Sequence, residues 1–396
     1  MPVKQVRSAQ ATPLKRVWRE EKALFAAVLA IALCSFVKNT TYIGDAGSFG
    51  PLNDVFLVFS FVMVIWNAMA ISRHAEKLAE RLGEPYGTMI LTLAAITVEV
   101  VMIITIMTHG TANPQVARDT IYSTLMILLN LVIGLALLMG GIKYGEQRYN
   151  MKSSKAYLSM LFIMVGLGLI FPNAMTQPHH ALYTGFLIFQ SLMLYAYFLR
   201  MQSGRLSYFF VHSPPPILKL SDAEIAAEDA AVLKPLEAEE EVEARHHISL
   251  SYHGTLLLLS LAAVSILAEF FAATIDVTIE HFHAPKALAG LVTAIIILSP
   301  EGVTAIRAAV NNQMQRVINI VLGSSLSTVA LTIPAVLIFG ALTHQQVTLA
   351  LPPAQMGLLI ISLLICSISE TGGETSPVEG LIQLSLFVAF LVLIFV

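Results

Sequence analysis

Met89–Met107 reads MILTLAAITVEVVMIITIM, an apolar run of membrane length with one carboxylate, Glu99, next to its centre. About 20 consecutive apolar residues suffice to cross the hydrocarbon of a bilayer as a helix. A charged group at that depth costs at least about 2.5–3.5 kcal/mol, so it is retained for a task. The second half of the chain repeats the pattern. Leu288–Ala309, LAGLVTAIIILSPEGVTAIRAA, carries Glu301. One buried carboxylate per half predicts a single site at the interface of an internal repeat.

Composition agrees with a chain that lives in lipid. Apolar residues make up 56% of the 396, charged residues only 12%, and the mean hydropathy is +0.74. A soluble domain carries about a quarter charged residues, so a globular enzyme on a membrane anchor is excluded. The net charge of −3 decides nothing, because placement of charge matters more than its sum. Cys34 and Cys366 sit inside apolar runs and read as small buried hydrophobes. With no CxxC and no HExxH, neither a disulfide framework nor a zinc site is expected. The basic N-terminal residues before Ala23–Val37 imitate a signal peptide, but no small-x-small cleavage site follows, so a retained first helix is expected.

Eleven candidate spans lie near 21–38, 54–73, 87–109, 119–142, 156–172, 181–200, 252–276, 285–306, 317–342, 354–369 and 378–396. The expected fold is therefore an all-α polytopic membrane protein. Lys and Arg cluster after spans two, four, six and eight: Arg73, Lys77 and Arg81; Lys143, Arg148, Lys152 and Lys155; Arg200 and Arg205; Arg307 and Arg316. This bias puts the N-terminus in the cytoplasm and the C-terminus outside, in a plasma membrane such as the bacterial inner membrane.

A shift of 202 positions carries Glu99 onto Glu301 and Ser123 onto Ser325, and a shift of 201 carries Ser123 onto Ser324. Each glutamate is thus followed by a serine in the next span. Spans two to six and seven to eleven form two five-helix units, and an odd number of spans inverts one unit relative to the other. The expected organisation is 1–53, an N-terminal tail, first helix and outer loop; 54–205, the first repeat; 206–251, a linker; and 252–396, the second repeat. Ser299-Pro300-Glu301-Gly302 predicts a break in span eight, since proline removes a backbone donor and glycine loosens the turn. The linker opens on Pro214-Pro215-Pro216 and continues with nine acidic residues among alanines, too polar to bury a core.

At this point the residues carry a resemblance. His74–Glu99 (HAEKLAERLGEPYGTMILTLAAITVE) and Ser299–Leu326 (SPEGVTAIRAAVNNQMQRVINIVLGSSL) resemble the two repeats of the calcium/cation antiporter superfamily. Within it, RLGEPYG at 81–87, RDTIYS at 118–123, ILSPEG at 297–302 and NNQMQR at 311–316 are similar to bacterial calcium (sodium, potassium)/proton exchangers. The resemblance implies that Glu99 and Glu301 bind the cation and the exchanged protons. It also implies that Ser123 and Ser324, or its neighbour Ser325, line the site, and that the main-chain carbonyls of Ala95 and Ile297 add oxygens. The superfamily's motif Gly-Asn-Ala-x-Glu is departed from: Ile96 and Leu298 stand where asparagines are usual, which removes two amide oxygens.

The chemistry holds on its own terms. Ca²⁺ takes six to eight oxygens and favours carboxylates. Emptied of metal, two close carboxylates repel and retain a proton, so cation and proton compete for the same oxygens. Weaker candidates for a proton path are Glu269, Asn67, His74, Glu76, Asp276 and Glu280. Glu269 and Asp276 are seven apart and share a helix face, and Asn67 is the repeat counterpart of Glu269. His179-His180 and His246-His247 read as loop histidines. The expected function is exchange of cytoplasmic Ca²⁺, with Na⁺ and K⁺, for protons. A monovalent-only Na⁺ or K⁺/proton antiporter is the alternative in the same class. An intramembrane metal-dependent enzyme is the alternative in another, and it finds no GxSxG or HExxH. No cofactor, nucleotide or nucleic acid is expected; the partners are the lipid bilayer, inorganic cations and protons. Oligomeric state is left open.

Overall fold

The computed structural model describes residues 21–41, 51–82, 86–109, 114–174, 180–210, 249–370 and 372–396. Most of the acidic linker, the basic N-terminal tail, His179, His246 and His247 lie outside the described residues. Among the described residues the chain is helical, with no strand. In lipid only a helix, or a closed barrel, can satisfy every backbone donor and acceptor internally.

In chain order the helices are α1 (Lys22–Thr41), α2 (Pro51–Leu82), α3 (Tyr86–His109), α4 (Val116–Met126), α5 (Ile133–Tyr144), α6 (Met151–Val165), α7 (His180–Ser203), α8 (Leu250–His281), α9 (Ala287–Val310), α10 (Met314–Ser327), α11 (Ile333–Thr343), α12 (Pro353–Ser369) and α13 (Pro377–Phe395). The expected spans fall on these helices or on a joined pair, except that 156–172 runs from α6 into a π turn, Gly166–Ile170, and a 3-10 turn, Phe171–Ala174. Nine continuous helices among the described residues are long and apolar enough to cross a membrane, and Lys22–Phe36 and Pro353–Ser369 are shorter apolar helices. The ends follow from local chemistry. Ser249 caps α8 by accepting from the Tyr252 N–H at 3.3 Å. Ser376 and Glu379 form a reciprocal capping box at α13, with Pro377 in the first turn.

Two joined pairs are welded by π-helical turns. Ile127–Val132 connects α4 to α5, and Thr328–Thr332 connects α10 to α11. They occupy equivalent places in the two halves, just beyond Ser123 and Ser324. The expected break at Pro300 does not occur: α9 runs through it unbroken. Proline 300 strips the carbonyl of Ile296 of its helical donor, and the Ser299 hydroxyl takes that carbonyl at 2.8 Å. A side chain thus replaces the lost bond, which is how membrane helices tolerate proline.

Packing fixes the directions of the helices. Asn53 Nδ2 donates to the Thr274 carbonyl at 3.3 Å, and Asn67 Nδ2 donates to the Ser260 carbonyl at 2.9 Å. Moving forward along α2 is moving backward along α8, so the first helices of the two halves are antiparallel. By contrast α9 runs parallel to the α4–α5 pair: Gly290 abuts Asp119 and Gly302 abuts Val132. A Cβ on Gly290 would lie 2.7 Å from the Asp119 carbonyl carbon, so only glycine permits this crossing. The two apolar cores follow this division. One gathers α1, α2, α3, α8 and α9; the other is built around the two spans joined by π turns, α4–α5 and α10–α11. Outward faces carry large apolar side chains such as Leu182, Phe189, Leu258 and Val388, as a lipid-facing surface requires.

The loops sort into two sets at opposite ends. At one end Lys143 and Tyr144 both donate to the Val310 carbonyl, Gln147 donates to the Ala309 carbonyl, Tyr149 N–H donates to the Gly373 carbonyl, and Arg148 pairs with Glu374 at 3.0 Å. At the other, Thr348 N–H donates to the Pro114 carbonyl, Arg118 to the Ala350 carbonyl and Asn173 to the Leu351 carbonyl. The basic loops after spans four and eight therefore share an end, as alternation of the spans demands.

Candidate cation-binding site

The site is built by helices from both halves. Glu99, near the middle of α3, is 1% exposed. Its Oε2 accepts from the hydroxyls of Thr328 and Thr332, each at 3.0 Å. Both threonines lie on the π-helical turn of the second half. Widening the helix there from four to five residues per bond shifts which side chains reach inward, and π turns recur at functional sites for that reason. The other carboxylate oxygen, Oε1, is buried with no hydrogen-bond partner. Glu301, near the middle of α9, bonds to the Ser324 hydroxyl. The two carboxylates lie close enough for the charge of Glu301 to act on Glu99.

These groups amount to two carboxylates and three hydroxyls, all oxygen donors. Such a set suits a hard cation, and an unpartnered carboxylate oxygen beside it suits direct coordination. Of the two serines singled out in α10, Ser324 reaches Glu301, whereas Ser325 donates to the Val321 carbonyl of its own helix at 2.8 Å. Ser123 is buried on α4. Ala95 and Ile297 sit within unbroken helices, so their carbonyls keep their helical bonds and offer a cation only a second lone pair.

The weaker candidates do not gather at the centre. Asn67 is buried in the α2–α8 seam, bonded to Ser260. Glu269 is partly exposed on α8. His74 lies toward the end of α2 that carries the basic residues. Its Nε2 meets Glu21 Oε2 at 3.0 Å and its Nδ1 meets His253 Nδ1 at 3.0 Å, while Arg73 and Tyr252 also bond to Glu21. Glu76 is half-buried one turn from Arg73. At the opposite end Asp276 and Glu280 line a cavity of about 280 Å³ with His283 and Lys286. These residues therefore fall toward the two ends of the molecule and in the α2–α8 seam, with Glu99 and Glu301 between them.

Sequence reasoning missed Thr328 and Thr332. A signal was present: Ser324, Thr328 and Thr332 are spaced by four, a stripe of hydroxyls along one face of an apolar span.

Known proteins share the sequence pattern and the fold of this chain. Residues 54–204 and 253–396 match the family described as sodium/calcium exchanger protein. The chain is 33% identical over 339 residues to the sodium-potassium/proton antiporter ChaA of Escherichia coli (strain K12), covering 85% of this chain and 88% of that one. It is 21% identical over 341 residues to a Ca(2+)/H(+) antiporter of Aphanothece halophytica, covering 84% and 88%. The fold resembles native YfkE with a TM-score of 0.69 at 16% identity, over 94% of this chain and 99% of that one. It resembles the H+/Ca2+ exchanger CAX with a TM-score of 0.62 at 14% identity, over 94% and 88%.

Proposed function

The chain belongs to the sodium/calcium exchanger protein family, and from that premise we propose that it is a cation/proton antiporter in which Glu99 and Glu301 bind the cation and the exchanged protons in turn. It is a transporter rather than an enzyme, like the relatives it matches. The observation that carries the reading is the meeting of the halves: Glu99 of the first is held by Thr328 and Thr332 of the second, within reach of the charge of Glu301.

The mechanism follows from competition. A divalent cation neutralises both carboxylates and takes further oxygens from Ser324, Thr328, Thr332 and Ser123. When it leaves, two negative charges in a low-dielectric interior repel, and protons replace it. Because the same oxygens serve both ligands, neither crosses without the other being released. Ca²⁺ is the cargo best matched to a paired carboxylate, with Na⁺ and K⁺ carried at alkaline pH, where protons compete least. The absence of asparagine at Ile96 and Leu298, together with the name of the Escherichia coli relative, favours a second reading in which only Na⁺ and K⁺ are carried. The clustering of basic loops at one end supports a cytoplasmic N-terminus and an outer C-terminus in a bacterial inner membrane.

Purified protein in liposomes, given Ca²⁺, Na⁺, K⁺ or Mg²⁺ separately, should release protons on cation entry. Glu99→Gln and Glu301→Gln should each abolish that release while the protein still inserts and purifies as the wild type does. Exchange at near wild-type rates in both variants would refute the site. Proton release with Na⁺ or K⁺ and none with Ca²⁺ selects the monovalent reading.

A further inference from the structure

Helix α12 carries a second buried polar line that the cation site does not use. Ser362, Cys366 and Glu370 are spaced by four, and all are buried. Glu370, the residue that closes α12, is 1% exposed, and neither of its carboxylate oxygens has a hydrogen-bond partner. It lies at the end of the molecule where the basic loops meet: Tyr149 Oη donates to the carbonyl of Ser369, and the Tyr149 N–H donates to that of Gly373.

The line continues inward. Gln383 of α13 donates to Cys366 Sγ at 3.3 Å, and its own Oε1 is buried and unpartnered. Ser362 accepts from Asn130 Nδ2 at 3.0 Å, and Asn130 Oδ1 is likewise unpartnered. Asn130 belongs to the π-helical turn Ile127–Val132, whose Val132 packs on Gly302, the neighbour of Glu301. Buried acceptors of this kind are the groups that hold water in a protein interior. Here they are strung from the basic end of the molecule to the helix of a site carboxylate.

We propose that Glu370 is a proton-holding carboxyl of the exchange reaction, linked to the central site through water held by Gln383 and Asn130. The inference rests on the antiport reading. A proton leaving Glu301 leaves its O–H electron pair on that carboxylate, passes along hydrogen-bonded water, and forms a new O–H bond on ionised Glu370. From there it is lost to the aqueous phase.

The groups facing Glu370 are Glu379 from α13, Tyr149 from the α5–α6 loop and Cys366 from its own helix, with the Arg148–Glu374 pair beyond. Burial first, and the charge of Glu379 second, push the Glu370 carboxyl up to about 8. A group titrating there can both take and give a proton near neutral pH.

The test uses the full chain in liposomes and two modes of transport. One mode is cation-driven proton movement, followed with an internal pH dye. The other is self-exchange of radiolabelled Ca²⁺ against Ca²⁺, or Na⁺ against Na⁺, in which no proton needs to move. Glu370→Gln should slow the proton-coupled mode by about a hundredfold, the lower bound for a positioned acid–base group, and leave self-exchange within about twofold. Glu370→Asp should recover part of the coupled rate with a displaced pH profile, and Gln383→Leu should slow the coupled mode alone. Equal loss of both modes in Glu370→Gln and Gln383→Leu, or no loss in either, overturns the proposal. A wild type inert in both modes sinks the antiport reading along with it, whereas an active wild type confines the failure to Glu370.

Discussion

At the residue scale the site depends on how many donors and charges converge on a few oxygens. Glu99 Oε2 takes two hydroxyl donors. A hydrogen bond to a charged group is worth about 1.5–3 kcal/mol. Thr332→Val keeps the shape of the side chain and removes one donor, which should weaken cation affinity by about tenfold at the low end of that range. Isothermal titration of the purified variant would measure it, and unchanged affinity would mean that Thr332 does not serve the ion. The pH dependence has a definite sign. Under the proposed competition for shared oxygens, the half-maximal cation concentration should rise as pH falls, and more steeply for Ca²⁺, which needs both carboxylates ionised, than for Na⁺. A half-maximal Ca²⁺ concentration that stays flat across pH would defeat the competition. The two glutamates were legible in the residues, because a carboxylate in an apolar run is conspicuous, and of the serines paired with them Ser324 reaches Glu301 whereas Ser123 is buried on α4. Thr328 and Thr332 were not singled out, because a threonine in a membrane helix ordinarily bonds its own backbone, as Thr293 and Thr304 do here.

At the element scale two features position the glutamates. One is the pair of π turns; the other is the close parallel crossing of α9 on α4 at Gly290. Gly290→Val would drive its Cβ into the backbone of Asp119 and Thr120. Overpacking of this kind costs about 1–3 kcal/mol. The variant should melt several degrees lower in detergent and exchange more slowly, since Glu301 rides on the same helix. A Gly290→Ala variant should fall between it and the wild type, and equal melting of all three would remove the crossing as a constraint. The spans were legible as apolar runs, with ends displaced by a few residues. The π turns were not, since nothing in Ile127–Val132 distinguishes it from ordinary helix. The expected break at Pro300 failed for a local reason: Ser299 caps the carbonyl that proline leaves free.

At the scale of the whole molecule, the loops meet in two groups, and the proposed orientation, drawn from the charge bias, puts the more basic group in the cytoplasm. Single cysteines read this out, since native Cys34 and Cys366 are both buried. Ser154 is buried and unsuitable as a reporter, whereas Lys155 beside it and Gln346 at the opposite end are exposed. Lys155→Cys should resist an impermeant thiol reagent added outside intact cells, and Gln346→Cys should react. The reverse pattern would invert the molecule and place Glu370 on the outer side.

Composition, the lengths of the apolar runs and the placement of lysine and arginine determined an all-helical membrane protein, and the matched glutamates carried the proposal of two related halves and a carboxylate site. Those properties are local or additive: transfer into lipid is summed residue by residue along one span, so a linear string contains it. Only the tertiary structure decided which hydroxyls reach Glu99, that α9 passes through Pro300 intact, and that Glu370 is sealed from water with both oxygens unpaired. Each of these depends on a partner far away in the chain or on the register of a helix after a π turn. One extra residue in a turn rotates every later side chain by about 100°, and a hydrogen bond across 229 positions, from Thr328 to Glu99, leaves no periodic trace in the sequence.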